Sequence, residues 1–509
     1  MIDAYFRMFH LSYPIVHEPT FRAQYSQVIS RPHGDSWLVL AYVVAAIGVF
    51  TSAISMDDNL DLGLFAQARS ILSFNFLEIG NLTLVQALTL IANYLQKRDR
   101  PNSGYNTLGI AVRMAMGLGL HKEFQGWNIS PLSMEIRRRV WWSLCVFDSG
   151  ATITFGRPLV WPFEGIEVSL PMNVDDRELT PISKSYPPES KGVTPYTAVA
   201  AQAKFHLATN AIYARVISKP LPSAEEILRL DEELLDSWLE GIPAFFRENA
   251  PVPERYAFAK DALQWRYRNI RIIMYRPFVI RKALHARDGR RDDASPETMR
   301  AYERCLEDAK ITISSIRGYW AVHEHNRFGA WYALYYIFQA ALIPCICLRN
   351  DPASPQASDW REQIATTLQT IASLASVTPS AGRCHQVISE LCGRYLDAAA
   401  ATPMSAAYLQ TDGSQDDGPL IESKDTISLG GNSPYVPDAG QVSFDDLGPI
   451  DESPQTQINS VFTMMWPNVP PMEAADLVMG EDAWMDFLMG EGAGDDSNVN
   501  LDNDGLGMM

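Results

Sequence analysis

Three groups of side chains in this sequence have types and spacings that could do chemistry. Asp57, Asp58 and Asp61 spell D-D-x-x-D, the pattern in which clustered carboxylates bridge magnesium to a diphosphate. The triad falls at a polar break between two apolar runs, and no second metal motif occurs in a downstream helix, so a solvated turn explains it. His323-Glu324-His325 places its imidazoles two residues apart, whereas a helical zinc site needs them one turn apart, as in H-E-x-x-H. Cys145, Cys305, Cys345, Cys347, Cys384 and Cys392 contain no C-x-x-C pair. Each stands in a helical, mostly apolar context, which reads as structural thiols of a reducing compartment and not as a metal site. With no G-x-S-x-G or P-loop either, the chain reads as no enzyme, and a metal-dependent helical enzyme is the alternative set aside.

The basic clusters are read with the same restraint. Arg137, Arg138 and Arg139 are consecutive, so on a helix they point about 100° apart and cannot line one nucleic-acid surface. Ion pairing to neighbouring helices is the expected use. Between Arg281 and Arg291 the sequence R-K-A-L-H-A-R-D-G-R-R offers Arg281, Lys282, Arg290 and Arg291 as a candidate nuclear import signal, although a solvated helix end accounts for it as well.

The elements that must position such residues are organised around Ser130 to Pro171. Ser130 is placed to cap a helix, Pro131 suits its first turn, and Glu135 precedes Arg139 by four residues. From Val140 to Phe147 apolar groups, Trp141 and Trp142 among them, fall on every side of the cylinder, which predicts a helix enclosed by others. Asp148 is the polar exception. A buried carboxylate needs a partner, and Arg157 just past the helix is the assigned cation. Gly156 suits the left-handed position that ends a helix and Pro158 prevents continuation. Ile166, Val168 and Leu170 then alternate, predicting an extended arm with one face on the protein and one in water.

The arginine run followed by Trp141-Trp142, Asp148, Gly156-Arg157-Pro158 and the I-x-V-x-L-P arm resembles the middle homology region of the fungal zinc-binuclear-cluster transcription factors. Tyr5 to Phe21, Leu108 to Glu123 and Arg268 to Phe278 resemble further blocks of that region in the same order. The resemblance implies a nuclear regulator of RNA polymerase II transcription of a metabolic or secondary-metabolite gene set. It also implies promoter DNA as partner, direct or indirect, and a small-molecule effector. The family binds DNA through a zinc cluster of six closely packed cysteines near the N-terminus. This chain opens directly on the regulatory region, so no cofactor is assigned to it. It reads either as a truncated product or as a co-regulator that reaches promoters through a partner factor.

The 509 residues are 47% hydrophobic and 20% charged, a globular balance with ample length for a large core. No charged-then-apolar signal opens the sequence. Two uncharged runs, Trp37 to Ile54 and Trp331 to Leu348, are near the lower limit for a membrane span. Their small residues suit close helix packing, so they read as core helices and no membrane is expected. The whole pattern predicts an all-α fold of α-solenoid-like helix pairs over residues 1–400. Helices are expected at 36–55, 61–78, 82–98, 104–119, 131–154, 195–218, 223–240, 254–286, 296–317, 326–348, 357–376 and 382–400.

The net charge of −18 is not spread along the chain. Residues 411–509 hold 20 acidic side chains and one basic, Lys424, which leaves residues 1–410 at about +1 by subtraction. From about residue 401 the composition turns to Ser, Asp, Gly, Pro and Asn, predicting a disordered linker over 401–455. Residues 456–509 contain two aromatic islands, one with Phe462 and Trp466, the other with Trp484, Phe487 and Leu488 among acids. The last three stand at i, i+3 and i+4, so a transient helix would present them together to a coactivator or mediator groove. An acidic tail that served solubility alone has little reason to carry them.

Overall fold

Apolar residues recurring every three to four positions dictate a helical chain, and helix is what forms. The computed structural model describes residues 1–396 apart from residues 73, 79, 125, 163, 288 and 290–293. Its longer helices are Ser36–Ser52, Leu60–Ile71, Leu82–Lys97, Pro101–Gly117, Pro131–Phe155, Pro195–Val216, Ala257–Arg287, Pro296–Val322, Arg327–Asn350, Ala357–Leu374 and Ser380–Leu396. Among the described residues there is no strand, and the only β-type pairing is an isolated parallel bridge between Lys122 and Glu167. The linker and activation segment, with Phe462, Trp466, Trp484, Phe487 and Leu488, lie outside the described residues, as do Arg290 and Arg291.

Helix starts follow local chemistry. Ser130 Oγ accepts from the Ser133 N–H, Ser295 Oγ from Thr298 and Asn326 Oδ1 from Gly329, each satisfying one donor that the first turn leaves free. Thr194 and Thr197 form a reciprocal capping box. Two expected helices are shorter or broken. The helix expected over 61–78 stops at Ile71 and resumes as a 3-10 turn, Phe74–Leu77. That expected over 223–240 widens into a π-helical segment, Asp231–Asp236, in which Asp231 is fully buried and accepts from Tyr275 and Arg304.

Successive helices pack as pairs: Leu82–Lys97 on Pro101–Gly117, Ser36–Ser52 on Leu60–Ile71, Ala257–Arg287 on Pro296–Val322. Helix Arg327–Asn350 gathers the pairs into one body. It packs on Ala257–Arg287, Pro296–Val322, Ala357–Leu374, Ser380–Leu396 and Ser36–Ser52. It is also the one described helix long and apolar enough to cross a membrane, and its apolar window is 94% buried inside the protein. That burial satisfies the apolar surface without lipid. The arm alternates as expected, with Val168 buried, Glu167 and Ser169 exposed, and the Glu167 N–H donating to His121 O at 2.8 Å.

Gly104 shows how closely the pairs approach. A Cβ there would stand 2.7 Å from Ala92 O and 3.2 Å from Gln96 N on the neighbouring helix. Alanine gains about 1 kcal/mol of helix propensity over glycine, but overpacking against backbone costs about 1–3 kcal/mol. Gly104→Ala should therefore lower stability in denaturant unfolding, against the direction that propensity alone predicts.

Candidate functional site

The signature helix Pro131–Phe155 runs from the Ser130 cap to Gly156, which adopts φ 62° and ψ 35°. This left-handed residue lets the Arg157 N–H return to Thr152 O at 3.0 Å. Trp141 is 0% exposed and Trp142 4%. The Trp141 ring packs on Trp161 with centroids 4.6 Å apart. Trp142 Nε1 donates to Ser169 O at 2.8 Å and so ties the arm to the helix.

The three arginines do not share a task. Arg137 donates to the carbonyls of Leu118 and Gly119, closing the end of the preceding helix. Arg138 makes a two-point contact with Glu123, at 2.7 and 2.8 Å. Their partners lie in loops, where neighbouring helices were expected. Arg139 is fully buried. It bonds Glu135 at 3.2 Å, Asp176 at 2.8 Å and Tyr196 Oη at 2.6 Å, and its guanidinium lies 3.4 Å from the Tyr196 ring centroid.

Asp176 in turn accepts from Tyr196 Oη and from the Glu18 N–H at 2.9 Å. The His17 ring reaches the Asp176 carbonyl at 3.0 Å, and Glu135 also accepts from the Met172 N–H. The result is a buried hub joining the N-terminal segment, the signature helix, the loop after the arm and helix Pro195–Val216. Burial pushes the Asp176 carboxyl up, but the Arg139 guanidinium, the His17 and His10 rings and the Tyr196 hydroxyl together outweigh it and hold the group below the usual carboxylate range. Burial drives His10 down to about 4, so this ring stays neutral at physiological pH.

Asp148 does not pair with Arg157. The left-handed turn at Gly156 carries Arg157 outward, where Nη2 bonds Asn102 Oδ1 at 2.5 Å and the guanidinium lies over the Tyr105 ring at 4.0 Å. Asp148 is buried, its Oδ2 has no hydrogen-bond partner among the described residues, and burial raises its pKa to about 6. Asp61 also departs from expectation. It is not solvated but fully buried, in a two-oxygen ion pair with Arg98 and a bond from Tyr94 Oη. Asp57 and Asp58 are exposed, and no three His, Cys, Asp or Glu side chains among the described residues converge to hold a metal. The six cysteines are all free and buried, so the residues present do not fit the zinc cluster of the family that the sequence resembles.

Beside the signature helix lies a small cavity of about 50 Å³, partly open to solvent. Its wall is drawn from Tyr13, Asn93 and Gln96, from Phe147, Gly150 and Thr154 of the signature helix, and from His206, Arg266, Asn269, Tyr332 and Tyr336 among others. Tyr13 Oη and Tyr332 Oη are 2.6 Å apart. Arg266 reaches Tyr13 Oη at 3.2 Å and His206 Nε2 at 2.8 Å. Burial and the neighbouring Arg266 charge hold His206 well below its ordinary value, so it is neutral. Lys97 packs on the far side of two wall residues, its Nζ 4.7 Å from the ring centroids of Trp331 and Tyr332.

Residues 2–242, which contain the hub and one side of the cavity, match the family described as fungal specific transcription factor domain. The chain carries a fungal transcription factor domain. The lactose regulatory protein of Kluyveromyces lactis is 26% identical over 369 residues, covering 70% of this chain and 39% of that protein. The ABC-transporter-regulating transcription factor of Aspergillus fumigatus is 27% identical over 256 residues, covering 48% and 28%. Activator of stress genes 1 of Saccharomyces cerevisiae is 22% identical over 488 residues, covering 86% and 50%. The chain thus spans half or less of each of these relatives. The transcription factor domain ends before helix Ala257–Arg287, so the cavity is shared between the matched region and the helices that follow it.

Of the candidate import signal, Arg281 is exposed, while Lys282 lies with Nζ 4.7 Å from the Tyr302 ring centroid and 3.6 Å from Met299 Sδ. Lys97, Asn93, His206, Arg266 and Asn269 belong to no motif in the sequence. The one signal they leave there is a cation on an apolar helix with an amide, not an acid, one turn away.

Two stability effects follow from these charges. Arg139→Met leaves Glu135 and Asp176 buried without their main countercharge and should cost about 3–5 kcal/mol in denaturant unfolding. For Asp148 the folded value of about 6 exceeds the ordinary 3.8. The folded state therefore binds the extra proton between these values and loses stability as pH rises through them, by about 3 kcal/mol in all. The stability of Asp148→Asn relative to the native protein should rise from about pH 4 to about pH 6 and stay level above.

Proposed function

We propose that this chain is the regulatory and activating portion of a nuclear fungal regulator of RNA polymerase II transcription, controlling a metabolic gene set. The match of residues 2–242 to the transcription factor domain carries the reading. Relatives named as a lactose regulatory protein and as an ABC-transporter-regulating transcription factor support control of metabolic or transport genes. No catalytic role is assigned.

In this reading the helical body is a restraint and the acidic tail the output. The 20 acids of residues 411–509 keep Phe462, Trp466, Trp484, Phe487 and Leu488 soluble until a coactivator or mediator groove accepts the aromatic groups. A shift between two packings of the body governs access to the tail, and an effector acts by favouring one of them. Promoter DNA is reached through a zinc cluster carried by a further segment or by a partner factor.

Residues 456–509 fused to an unrelated DNA-binding domain should activate a reporter. Replacing Trp484, Phe487 and Leu488 by Ala should reduce that activity to background while the fusion accumulates normally. Equal activity of the two fusions would remove the tail from the mechanism.

A further inference from the structure

We propose that the cavity between the signature helix and helices Ala257–Arg287 and Arg327–Asn350 binds a small organic anion carrying a carboxylate on an aromatic ring, with Arg266 as its countercharge. The proposal rests on the reading of the body as a regulatory domain and names the chemistry of its effector.

The observation behind it is the lack of an internal countercharge at this cavity. Most buried guanidinium groups of the chain have close partners, although Arg276, whose Nη1 meets Gln339 Oε1 at 3.5 Å, has no acid either. Arg139 has Glu135 and Asp176, Arg138 has Glu123, Arg98 has Asp61, and Arg268 and Arg271 share Asp308. Arg327 is held by the carbonyls of Ser55, Met56, Asp58 and Val377. Around the cavity that practice stops. Among the described residues neither Arg266 nor Lys97 has a carboxylate within ion-pair distance, and Lys97 Nζ is buried with no hydrogen-bond acceptor at all. A buried cation without a counterion is strongly unfavourable.

The amides sharpen the point. Asn269 stands three residues after Arg266, and Asn93 four residues before Lys97, spacings at which helical side chains meet. Both are buried, both line the cavity, and the Oδ1 of each is unpaired. At the positions where an ion pair would take an acid, the chain has its neutral isostere. His206 points the same way. Its Nε2 takes the Arg266 donor, which leaves Nδ1 as a buried N–H without a partner. The wall thus holds two unanswered donors, His206 Nδ1 and Trp331 Nε1, beside the unpaired Asn93 and Asn269 oxygens, and it is lined by flat rings, including Tyr332, Trp331 and Phe205. A carboxylate answers the donors and an aromatic ring stacks on those walls.

Location links occupancy to regulation. The wall takes residues from the N-terminal segment, from Leu82–Lys97, from the signature helix, and from three later helices. An anion seated there holds all of them in one arrangement, which is the differential contact a population shift requires.

Calorimetric titration of the full chain with acetate, benzoate and 4-hydroxybenzoate, and with the neutral 4-hydroxybenzamide, tests the proposal. The two ring carboxylates should bind at one saturable site, with the amide and acetate each weaker by about tenfold or more. Arg266→Gln should weaken 4-hydroxybenzoate by at least a similar factor. Because that variant could also misfold, Asn269→Asp provides the second arm. An internal carboxylate beside Arg266 should raise the thermal midpoint of the free chain and abolish 4-hydroxybenzoate binding. The proposal is overturned if the ring carboxylates show no saturable binding at millimolar concentration, or if 4-hydroxybenzamide binds as well as its acid. It is equally overturned if Asn269→Asp lowers the midpoint and leaves binding unchanged. The reporter fusion reads the tail alone, so failure of either experiment leaves the other standing.

Discussion

The bond network of Arg139 is the constraint on which the arrangement of this domain depends. Glu135, Arg139, Asp176 and Tyr196 lie on three segments separated by up to 61 positions, yet their charges and hydroxyl meet in a volume closed to water. A guanidinium in such a place is tolerated only when acids balance its charge. The chain between the signature helix and helix Pro195–Val216 must therefore fold so that Asp176 returns to Arg139. Glu18 and His17 bind the same aspartate, so the N-terminal segment is fixed by that requirement as well. Trp141 and Trp142 add apolar burial on this helix, and burial alone carries no direction. The direction comes from the ion pairs.

Set beside the hub, the cavity shows the opposite solution. Glu135 and Asp176 answer Arg139 from within the chain, while Arg266 and Lys97 meet tyrosine hydroxyls, an imidazole and aromatic faces. Cation–π contacts contribute about 0.5–2 kcal/mol, which offsets only part of the desolvation of a buried ammonium or guanidinium. Burial, with the charge of Arg266, holds the Lys97 pKa well below its ordinary value. Unpaired polar atoms occur at both places, Arg139 Nη2 and His10 Nδ1 at the hub, His206 Nδ1 and the Asn93 and Asn269 oxygens at the cavity. What separates the two is the acid: the hub has Glu135 and Asp176 for its arginine, and the cavity wall has none for Arg266.

The sequence and the structure agree where chemistry is local. Ser130, Gly156 and the alternation of the arm depend on neighbours within a few residues, and each can be placed without knowledge of the fold. Disagreement begins with pairing at a distance. Asp148 and Arg157 are nine positions apart, close enough to suggest a bond, but the left-handed residue between them turns the arginine toward Asn102 on another helix. Asp61 reads as solvated because its neighbours in sequence are polar, whereas Arg98, one hairpin later, draws it inside. The π-helical segment at Asp231–Asp236 is illegible for the same reason: Asp231 answers Arg271 and Arg304, which come from two later helices.

The cavity is the hardest feature to foresee, since Lys97 and Arg266 are 169 positions apart and neither belongs to a motif. Their helices do carry a trace of it. On Ala257–Arg287, Arg268 and Arg271 find Asp308 on the neighbouring helix, while Arg266, two positions before Arg268, faces the other way and finds none. A rotation of about 200° for two residues on a helix separates the paired face from the unpaired one. One helix therefore serves both purposes: one side is tied into the body by ion pairs, and the other presents a charge that the body leaves open. The same division leaves an arginine without an acid beside the signature helix while the opposite side of its own helix is held by Asp308.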